Sequence, residues 1–263
     1  MSIQPEHSSI KTDNLSIGYF SKKKISPIYA DLNLDLKKGE FVCLLGENGI
    51  GKSTLLRTLS KVQPPIKGAI YIHSKNLHDF ESSELATAMS LVLTEKLPES
   101  NLSVFELISL GRQPYTNWIG NLTEFDVLKI NEAMEMTNIS HLSQKKYFEL
   151  SDGQLQKVLI SRALAQDTDI IILDEPTAHL DVRHKMETFE LLKNLSEELT
   201  KTIIVSTHEI HSAIQTAHQL WLMTKNEFIT GSPQQLIESN SIEKLFDSEN
   251  IRFDPAQNQF RFN

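Results

Sequence analysis

The residues best suited to chemistry form a glycine-rich segment, GENGIGKS, at positions 46–53. It matches the pattern GxxxxGK[ST], in which glycines let backbone N–H groups converge on phosphate oxygens. A helical pattern follows directly, so the partial positive charge of a helix N-terminus would favour the same anion. In this arrangement Lys52 reaches the β- and γ-phosphates, and the Ser53 hydroxyl ligates Mg²⁺. The segment predicts a nucleoside triphosphate site; the alternative is a strand–helix turn that binds nothing.

Two adjacent carboxylates follow a second apolar run, IIILDEP, at positions 170–176. The run places Asp174 and Glu175 at the carboxyl end of a buried strand, where open α/β sheets bind their ligands. Asp174 is expected to hold Mg²⁺ through water, and Glu175 to polarise the water that attacks a γ-phosphate. An acidic strand end that only faces solvent is the alternative. The presence of the glycine-rich segment favours the catalytic interpretation.

A histidine and a helix start complete the set of candidate residues. His208 ends a third apolar run, TIIVSTH, from which it could donate a hydrogen bond to the γ-phosphate; a structural histidine is the alternative. His211 and His218 are expected on a helix surface. The LSDGQ segment, positions 150–154, opens a helical pattern at Ser151. Its hydroxyl and backbone amides could meet a second phosphate, or simply cap the helix.

The hydrophobic pattern predicts the elements that position these residues. Solid apolar runs and alternating apolar residues predict strands at 32–36, 41–45, 68–74, 169–175 and 202–209, and a hairpin from 221–224 and 227–231. Apolar residues at helical spacing predict helices at 103–111, 123–138, 152–165 and 186–200. Strand–helix–strand order at the end of the chain implies a parallel sheet. The middle of the chain, where strand-like runs are nearly absent, is predicted to be a helical insert.

The composition limits the class of protein. The 263 residues carry 26 Lys and Arg against 34 Asp and Glu, a net charge of −8, which argues against a nucleic-acid partner. No apolar stretch approaches the ~18 residues that span a bilayer. The start, MSIQPEHSSIKTDN, lacks the apolar segment of a secretory signal. A single cysteine, Cys43, excludes an intrachain disulfide framework and a cysteine-based zinc site. We expect a soluble, cytoplasmic protein.

Four segments together carry a family resemblance. GENGIGKST, LSDGQ, ILDEPTAHLD and STHE, in this order and spacing, closely resemble the motifs of the nucleotide-binding subunits of ABC transporters. The resemblance implies an α/β fold with a P-loop NTPase core, an antiparallel β-subdomain and an inserted α-helical subdomain. It makes 1–263 a single ABC ATPase domain, with the core and β-subdomain at 1–80 and 166–263 and the helical subdomain at 81–165.

The resemblance also implies roles for individual residues. Catalytic roles are implied for Lys52, Glu175 and His208. It implies a homodimer in which ATP and Mg²⁺ lie between the glycine-rich segment of one subunit and the LSDGQ segment of the other. Asp181 would lie at the dimer interface, and Tyr19 would stack on adenine unless it is a core tyrosine. The implied nucleotide contacts are Tyr19, Gly46, Glu47, Asn48, Gly49, Ile50, Gly51, Lys52, Ser53 and Thr54, those to the partner's nucleotide are Ser151, Asp152, Gly153 and Gln154, and the metal ligands are Ser53, Asp174 and Glu95.

Two positions depart from the family pattern. The family's LSGGQ reads LSDGQ here, so Asp152 brings a negative charge near a phosphate, and its side chain is expected to point away. The glutamine that usually precedes the helical subdomain is also missing. Its place falls to Glu95, or to Thr94 if the alignment shifts by one. A glutamate could still approach Mg²⁺, but it donates no hydrogen bond unless it is protonated.

The finer resemblance is to importers of iron–siderophore complexes, haem or cobalamin. It rests on LVLTEKL, VFELISLGRQPYTNWIG and LAQDTDIIILDEPTAHLD. It implies a separate membrane permease, a substrate-binding protein beyond it, and a location on the cytoplasmic face of the inner membrane. Two alternatives stay open: a soluble ABC ATPase acting on DNA or in iron–sulfur assembly, and a P-loop kinase or other small NTPase. The second would leave the LSDGQ segment and His208 unexplained.

Overall fold

The computed structural model describes residues 8–21, 24–93, 100–117, 120–246, 251–254 and 259–262. The strands are β1 (Ser8–Ser21), β2 (Lys24–Leu32), β3 (Asp35–Lys37), β4 (Phe41–Gly46), β5 (Lys67–Ile72), β6 (Lys75–Asn76), β7 (Met89–Val92), β8 (Ile170–Asp174), β9 (Thr202–Thr207), β10 (Gln219–Met223), β11 (Phe228–Gly231), β12 (Ile251–Asp254) and β13 (Gln259–Phe262). The α-helices are α1 (Lys52–Leu59), α2 (Ser82–Ala88), α3 (Val104–Ser109), α4 (Glu124–Met136), α5 (Asp152–Ala165), α6 (Val182–Leu199), α7 (Ile210–Thr216) and α8 (Pro233–Glu238). Within these ranges no helix is both long and apolar enough to cross a membrane.

A six-stranded sheet forms the centre of the molecule, in the order β11-β10-β4-β9-β8-β7. Its strands run parallel except β11, which forms an antiparallel hairpin with β10. In the pairing register Leu45 lies opposite Thr207, and Asp174 lies opposite Ser206. The carboxyl ends of β4, β8 and β9 therefore meet at one edge of the sheet, where ligands of such sheets bind.

An antiparallel sheet packs over one face of the central sheet. Its order is β2-β1-β5-β6, and β3 also pairs with β1. β4 is buried on both sides because its side chains alternate between two cores. Val42 and Leu44 face the core shared with the antiparallel sheet and α1, whereas Phe41, Cys43 and Leu45 face the core shared with α3 to α6. The predicted fold class, with its core and antiparallel β-sheet, is confirmed.

Helices fill the middle of the chain, and their starts are set by local side-chain chemistry. α3, α4 and α5 each begin with a capping box, in which a Ser or Thr side chain and the side chain three residues later satisfy each other's backbone N–H groups. The predicted helix at 152–165 coincides with α5. A buried ion pair joins this group of helices, because Arg112 Nε lies 2.8 Å from Asp126 Oδ1.

Four details differ from the sequence interpretation. The strand predicted at 32–36 is interrupted, because β2 ends at Leu32 and β3 begins at Asp35. β7 is a strand of the central sheet, parallel to β8, within the segment 81–165 that was assigned to helices. The division of the chain at 80 and 165 otherwise stays a prediction. α6 begins at Val182, four residues before the helix predicted at 186–200. His218 follows α7 rather than lying on a helix, and its Nδ1 accepts a hydrogen bond from the Phe41 N–H at 2.9 Å.

Candidate functional site

The glycine-rich segment forms the turn between β4 and α1. Gly51, directly before the helix, has φ of +116°, a conformation that residues with a side chain rarely adopt. It makes no side-chain cap, so the first N–H groups of α1 lack the partner that a capping side chain would give. A Cβ at Gly49 would meet no atom within 4 Å. The turn thus offers uncapped backbone donors beside open space, which is the arrangement that binds phosphate.

Lys52 is the most buried charged residue of this turn. Its side chain is 4% exposed, and its Nζ donates hydrogen bonds to the carbonyls of Gly46 at 2.8 Å and Glu47 at 3.3 Å. The same Nζ lies 3.2 Å from Glu175 Oε1. The ammonium group therefore has three oxygen partners within the chain, and its contact with the β- and γ-phosphates stays a prediction. The structure brings the two predicted catalytic residues, Lys52 and Glu175, into direct contact.

Ser206 hydrogen-bonds to the Asp174 carboxylate and to the Glu175 backbone where β8 ends. Its Oγ donates to Asp174 Oδ1 at 2.5 Å and accepts the Glu175 N–H at 2.8 Å. Asp174 is buried, and Glu175 is partly exposed with φ of +44°, a left-handed conformation that costs a non-glycine residue roughly 1–2 kcal/mol. The sequence analysis did not identify Ser206. The strand register was the available signal, because Ser206 lies opposite Asp174 only once β8 and β9 are paired.

His208 lies beside Glu175, and its hydrogen bond to the γ-phosphate stays a prediction. Its Nδ1 is 3.7 Å from Glu175 Oε2, too far for a hydrogen bond, and its Nε2 is 3.2 Å from Glu209 Oε1. Glu209 in turn pairs with Lys185 at 2.6 Å. The imidazole is about half exposed, so it has room to turn toward a ligand on the open side of Glu175.

Tyr19 is a surface residue rather than a core tyrosine. It is 53% exposed on β1 and lies opposite Ser26 of β2. The same β1–β2 hairpin contacts the glycine-rich segment, because a Cβ at Gly51 would lie 3.0 Å from Cγ2 of Ile28. The core alternative is therefore excluded, whereas stacking of Tyr19 on adenine stays a prediction.

The LSDGQ segment lies on a different element, at the start of α5. Ser151 Oγ accepts the Gln154 N–H at 3.3 Å, and Gln154 Oε1 accepts the Ser151 N–H at 3.2 Å, which forms a capping box. Ser151 and Asp152 are exposed, and Gly153 is buried. The bare capping interpretation is therefore correct for the isolated chain. A contact with a partner's nucleotide stays a prediction.

Asp181 caps the start of α6. Its Oδ1 accepts the His184 N–H at 2.9 Å and lies 2.9 Å from His184 Nδ1. The hydrogen bond from the His184 N–H is the main reason that the pKa of Asp181 is lowered from its ordinary value. Asp181 remains exposed, so its side chain is accessible to a partner.

The described residues form no complete metal site without a ligand that supplies further oxygens. Throughout the described ranges, no three His, Cys, Asp or Glu side chains converge on one point. Ser53, in the first turn of α1, and Asp174, at the end of β8, are the two predicted ligands that the structure contains. Glu95, the third, and its alternative Thr94 lie outside the described residues.

Comparisons with known proteins define the family. The ABC transporter family matches residues 29–178. An uncharacterised ABC transporter ATP-binding protein of Methanocaldococcus jannaschii is 39% identical over 245 residues, covering 93% of this chain and 83% of that protein. The iron(3+)-hydroxamate import ATP-binding protein FhuC of Bacillus subtilis is 34% identical over 254 residues, covering 95% and 93%.

Solved structures agree with this assignment. A metal-chelate type ABC transporter in an inward-facing conformation superposes with a TM-score of 0.80 at 27% identity, covering 97% of this chain and 95% of that one. A dimeric bacterial ABC transporter cassette superposes with a TM-score of 0.74 at 28% identity, covering 85% and 98%. The chain belongs to the ABC transporter family and is one of its ATP-hydrolysing, ATP-binding cassettes.

Proposed function

We propose that this chain is the ATPase subunit of an importer for an iron chelate, attached to a separate permease at the cytoplasmic face of the inner membrane. The similarity to FhuC over 95% of the chain carries the proposal, because it extends through the helical middle of the chain as well as the nucleotide motifs. The likeness to a metal-chelate type transporter supports the same cargo class. A soluble ABC ATPase without a membrane partner is the less favoured alternative. A substrate-binding protein belongs to the proposal as an indirect partner.

In the proposed function, ATP separates the ion pair of Lys52 and Glu175. Phosphate oxygens placed against the start of α1 compete for the Lys52 ammonium, which now contacts the carbonyls of Gly46 and Glu47. Once Lys52 turns to the phosphates, the Glu175 carboxylate loses its counter-charge. It is then free to accept a hydrogen bond from the attacking water. His208, beside Glu175, would donate a hydrogen bond to the γ-phosphate.

The residues present suit Mg²⁺ bound together with phosphates. Mg²⁺ keeps several waters and commonly takes one or two protein oxygens plus substrate phosphate oxygens. Ser53 and Asp174 supply that number, and the hydrogen bond from Ser206 fixes the Asp174 carboxylate. When bound, the ion would neutralise charge on the transferred phosphoryl group. Glu95 stays a tentative further ligand.

Two copies of the chain are proposed to complete each ATP site. The glycine-rich segment and the LSDGQ segment lie on separate elements, and Ser151, Asp152 and Asp181 are exposed. A head-to-tail pair would place the capped start of α5 from one subunit over the nucleotide of the other. The dimeric form of the similar cassette supports this arrangement.

Uptake of labelled cargo tests the proposal. In the source organism, deleting the gene should abolish uptake of radioactive iron given as a ferric hydroxamate. The wild-type gene should restore uptake, and the Glu175→Gln variant at equal abundance should not. Haem and cobalamin serve as parallel cargoes. Unchanged iron uptake with lost haem or cobalamin uptake would reassign the cargo. No change for any cargo would contradict the importer assignment.

A further inference from the structure

The buried glycine of the LSDGQ segment lies against a histidine of the same chain. Ser151 and Asp152 are exposed, whereas Gly153, in the same turn, is buried. A Cβ on Gly153 would lie 2.7 Å from Cδ2 and 2.9 Å from Cγ of His184. The His184 ring therefore occupies the space that any side chain at position 153 would need. This contact within one chain therefore favours glycine at position 153, independently of any partner subunit.

The ring is held in place from the other side. His184 Nδ1 lies 2.9 Å from Asp181 Oδ1, so the ring can donate a hydrogen bond to the same carboxylate that caps α6. With Nδ1 beside Asp181, the ring lies with Cγ and Cδ2 against Gly153. Asp181 and Gly153 thus fix His184 between the start of α6 and the start of α5.

Ion pairs connect α5 and α6 about one turn beyond the contact of Gly153 with His184. Lys157 Nζ is 2.9 Å from Glu187 Oε2, and Arg183 Nε is 2.8 Å from Glu187 Oε1. Lys157 follows Gly153 by four residues and Glu187 follows His184 by three, so each pair lies on one helix face. The two contacts together fix how the start of α5 sits on α6.

The connection from α6 back to the hydrolytic carboxylate is short. The Ala178 N–H donates to the Glu175 carbonyl at 3.2 Å, and the Leu180 N–H donates to the Thr177 carbonyl at 3.2 Å. Asp181 follows immediately. The chain from Glu175 to His184 is therefore a hydrogen-bonded connection with no long loop. Asp181 and His184 therefore lie on a short path between Glu175 and Gly153.

We propose that His184 is a positioning residue that sets the start of the LSDGQ helix by packing on Gly153. Within one subunit, His184 thereby connects the LSDGQ segment, which contacts the partner's nucleotide, to Glu175, which serves the subunit's own nucleotide. The inference rests on the composite sites of the proposed function. His184 is not among the predicted nucleotide contacts. Its effect should be seen when it is changed in the subunit that contributes the LSDGQ segment to the ATP site.

A mixed dimer with one active site tests on which chain His184 acts. Chain one carries Ser151→Arg and chain two carries Lys52→Ala, so both homodimers are inactive. The mixed dimer has one site, made from the glycine-rich segment of chain one and the LSDGQ segment of chain two. Adding His184→Ala to chain two should lower ATPase activity roughly 10- to 100-fold, the effect of misplacing a group by about 1 Å. Adding it to chain one should change activity less than about twofold.

Two substitutions in chain two separate the contacts of the ring. His184→Phe keeps ring bulk against Gly153 but loses the hydrogen bond to Asp181, and it should retain most of the activity. His184→Asn keeps a donor near Asp181 but does not reach Gly153, and it should behave like His184→Ala. His141→Ala, an exposed histidine elsewhere among the helices, is the matched control and should have no effect.

The outcomes that would overturn the inference are distinct. Equal losses from His184→Ala in either chain would show a general structural role. Activity retained by His184→Asn but lost in His184→Phe would show that His184 acts through Asp181 alone. An inactive parental mixture, while wild-type subunits hydrolyse ATP, would overturn the composite sites and this inference with them.

Discussion

Lys52 and Glu175 form an ion pair between the glycine-rich segment and the end of β8. The Nζ–Oε1 distance is 3.2 Å, and the two side chains are 4% and 23% exposed, so both charges are largely removed from water. Charge pairs removed from water are strong only when every group keeps a partner. In the proposed function, ATP would supply such a partner for Lys52 and leave the Glu175 carboxylate available to the attacking water.

Removing the lysine tests this exchange. Lys52→Ala should lower ATP hydrolysis by about 10³-fold or more and weaken ATP binding, because a charge paired with the β- and γ-phosphates is lost. Purified protein with a coupled phosphate-release assay measures the first, and fluorescent nucleotide titration the second. Lys61→Ala, a lysine after the end of α1 that bonds the Phe80 carbonyl at 2.7 Å, is a control with expected wild-type turnover. Turnover near wild type in Lys52→Ala would contradict the assignment.

Ser206 gives a prediction that the sequence alone did not suggest. Ser206→Ala removes the hydrogen bond to Asp174 and one of the two acceptors of the Glu175 N–H, the other being the Ser206 carbonyl at 3.1 Å. We expect turnover to fall about tenfold, and the Mg²⁺ concentration for half-maximal activity to rise, since supporting residues around metal ligands commonly have effects of this size. Ser206→Thr keeps the hydroxyl and should restore part of the activity. A Ser206→Ala enzyme with wild-type Mg²⁺ dependence would exclude this supporting role.

The sequence alone identified the candidate site residues only where they belong to one short motif. Lys52 and Ser53 follow from GxxxxGK[ST], and Glu175 from a carboxylate after a buried strand. Ser206 and His184 act through space on Asp174 and Gly153, more than 30 residues away along the chain. Such contacts depend on strand register and helix packing, which periodicity does not specify.

Arg112, which follows α3, connects α4 and α5. Its Nε pairs with Asp126 of α4, its Nη1 donates to the Ala165 carbonyl at the end of α5 at 2.8 Å, and its guanidinium lies 4.0 Å from the centre of the Tyr115 ring. Arg112 and Asp126 are both buried. The hydrogen bond from the Thr123 hydroxyl is the main reason that the pKa of Asp126 is lowered, and Arg112 adds to the effect.

Neutralising this carboxylate should destabilise the fold in a pH-dependent way. Asp126→Asn leaves Arg112 buried without a counter-charge, so the free energy of unfolding at pH 7 should fall by about 3 kcal/mol. Because the folded-state pKa lies below the unfolded value, the stabilisation by Asp126 is present above the unfolded value, about pH 3.9, and is lost as the pH falls through the folded-state value. The difference between the variant and the wild type should therefore shrink as the pH falls below about 4.

Urea unfolding at several pH values measures this difference. Glu132→Gln is the control on the same helix, since its pair with Lys129 is partly exposed and should contribute less than about 1 kcal/mol. A difference between Asp126→Asn and the wild type that stays constant down to pH 3.5 would contradict the charge explanation.

The elements differ in how far the sequence predicts them. β4, β8 and β9 are continuous apolar runs, and the hydrophobic pattern identifies them directly. β7 has only four residues and contains Ser90, a buried serine whose Oγ accepts from Thr168 at 3.1 Å. Its strand state depends on the neighbouring β8, so no local pattern indicates it. α6 starts early because Asp181 caps it, a signal that the apolar periodicity from 186 did not include.

At the scale of the whole molecule, the two segments of the proposed ATP site lie on separate elements. The glycine-rich segment lies between β4 and α1, and the LSDGQ segment lies at the start of α5. In the proposed dimer, the glycine-rich segment and Glu175 would serve the chain's own nucleotide, and the exposed Ser151 and Asp152 would face that of the partner. The sequence resemblance predicted this division, and the exposure of Ser151 and Asp152 is compatible with it. The position that relates metal to permease, Glu95 or Thr94, stays a prediction outside the described residues.

Blocking hydrolysis without blocking binding should make the dimer visible. Glu175→Gln keeps the shape of the side chain but removes the carboxylate that orients water, so hydrolysis should fall by at least about 10²-fold. It also weakens the ion pair that holds Lys52 away from the phosphates. ATP should therefore bind and remain, and the two chains should stay joined around it. Multi-angle light scattering with Mg²⁺-ATP should show twice the 29.9 kDa mass of the chain. Lys52→Ala, which lacks the phosphate contact, should stay at the single-chain mass under the same conditions. A Glu175→Gln protein that binds ATP and remains a single chain would contradict the composite site for the isolated subunit.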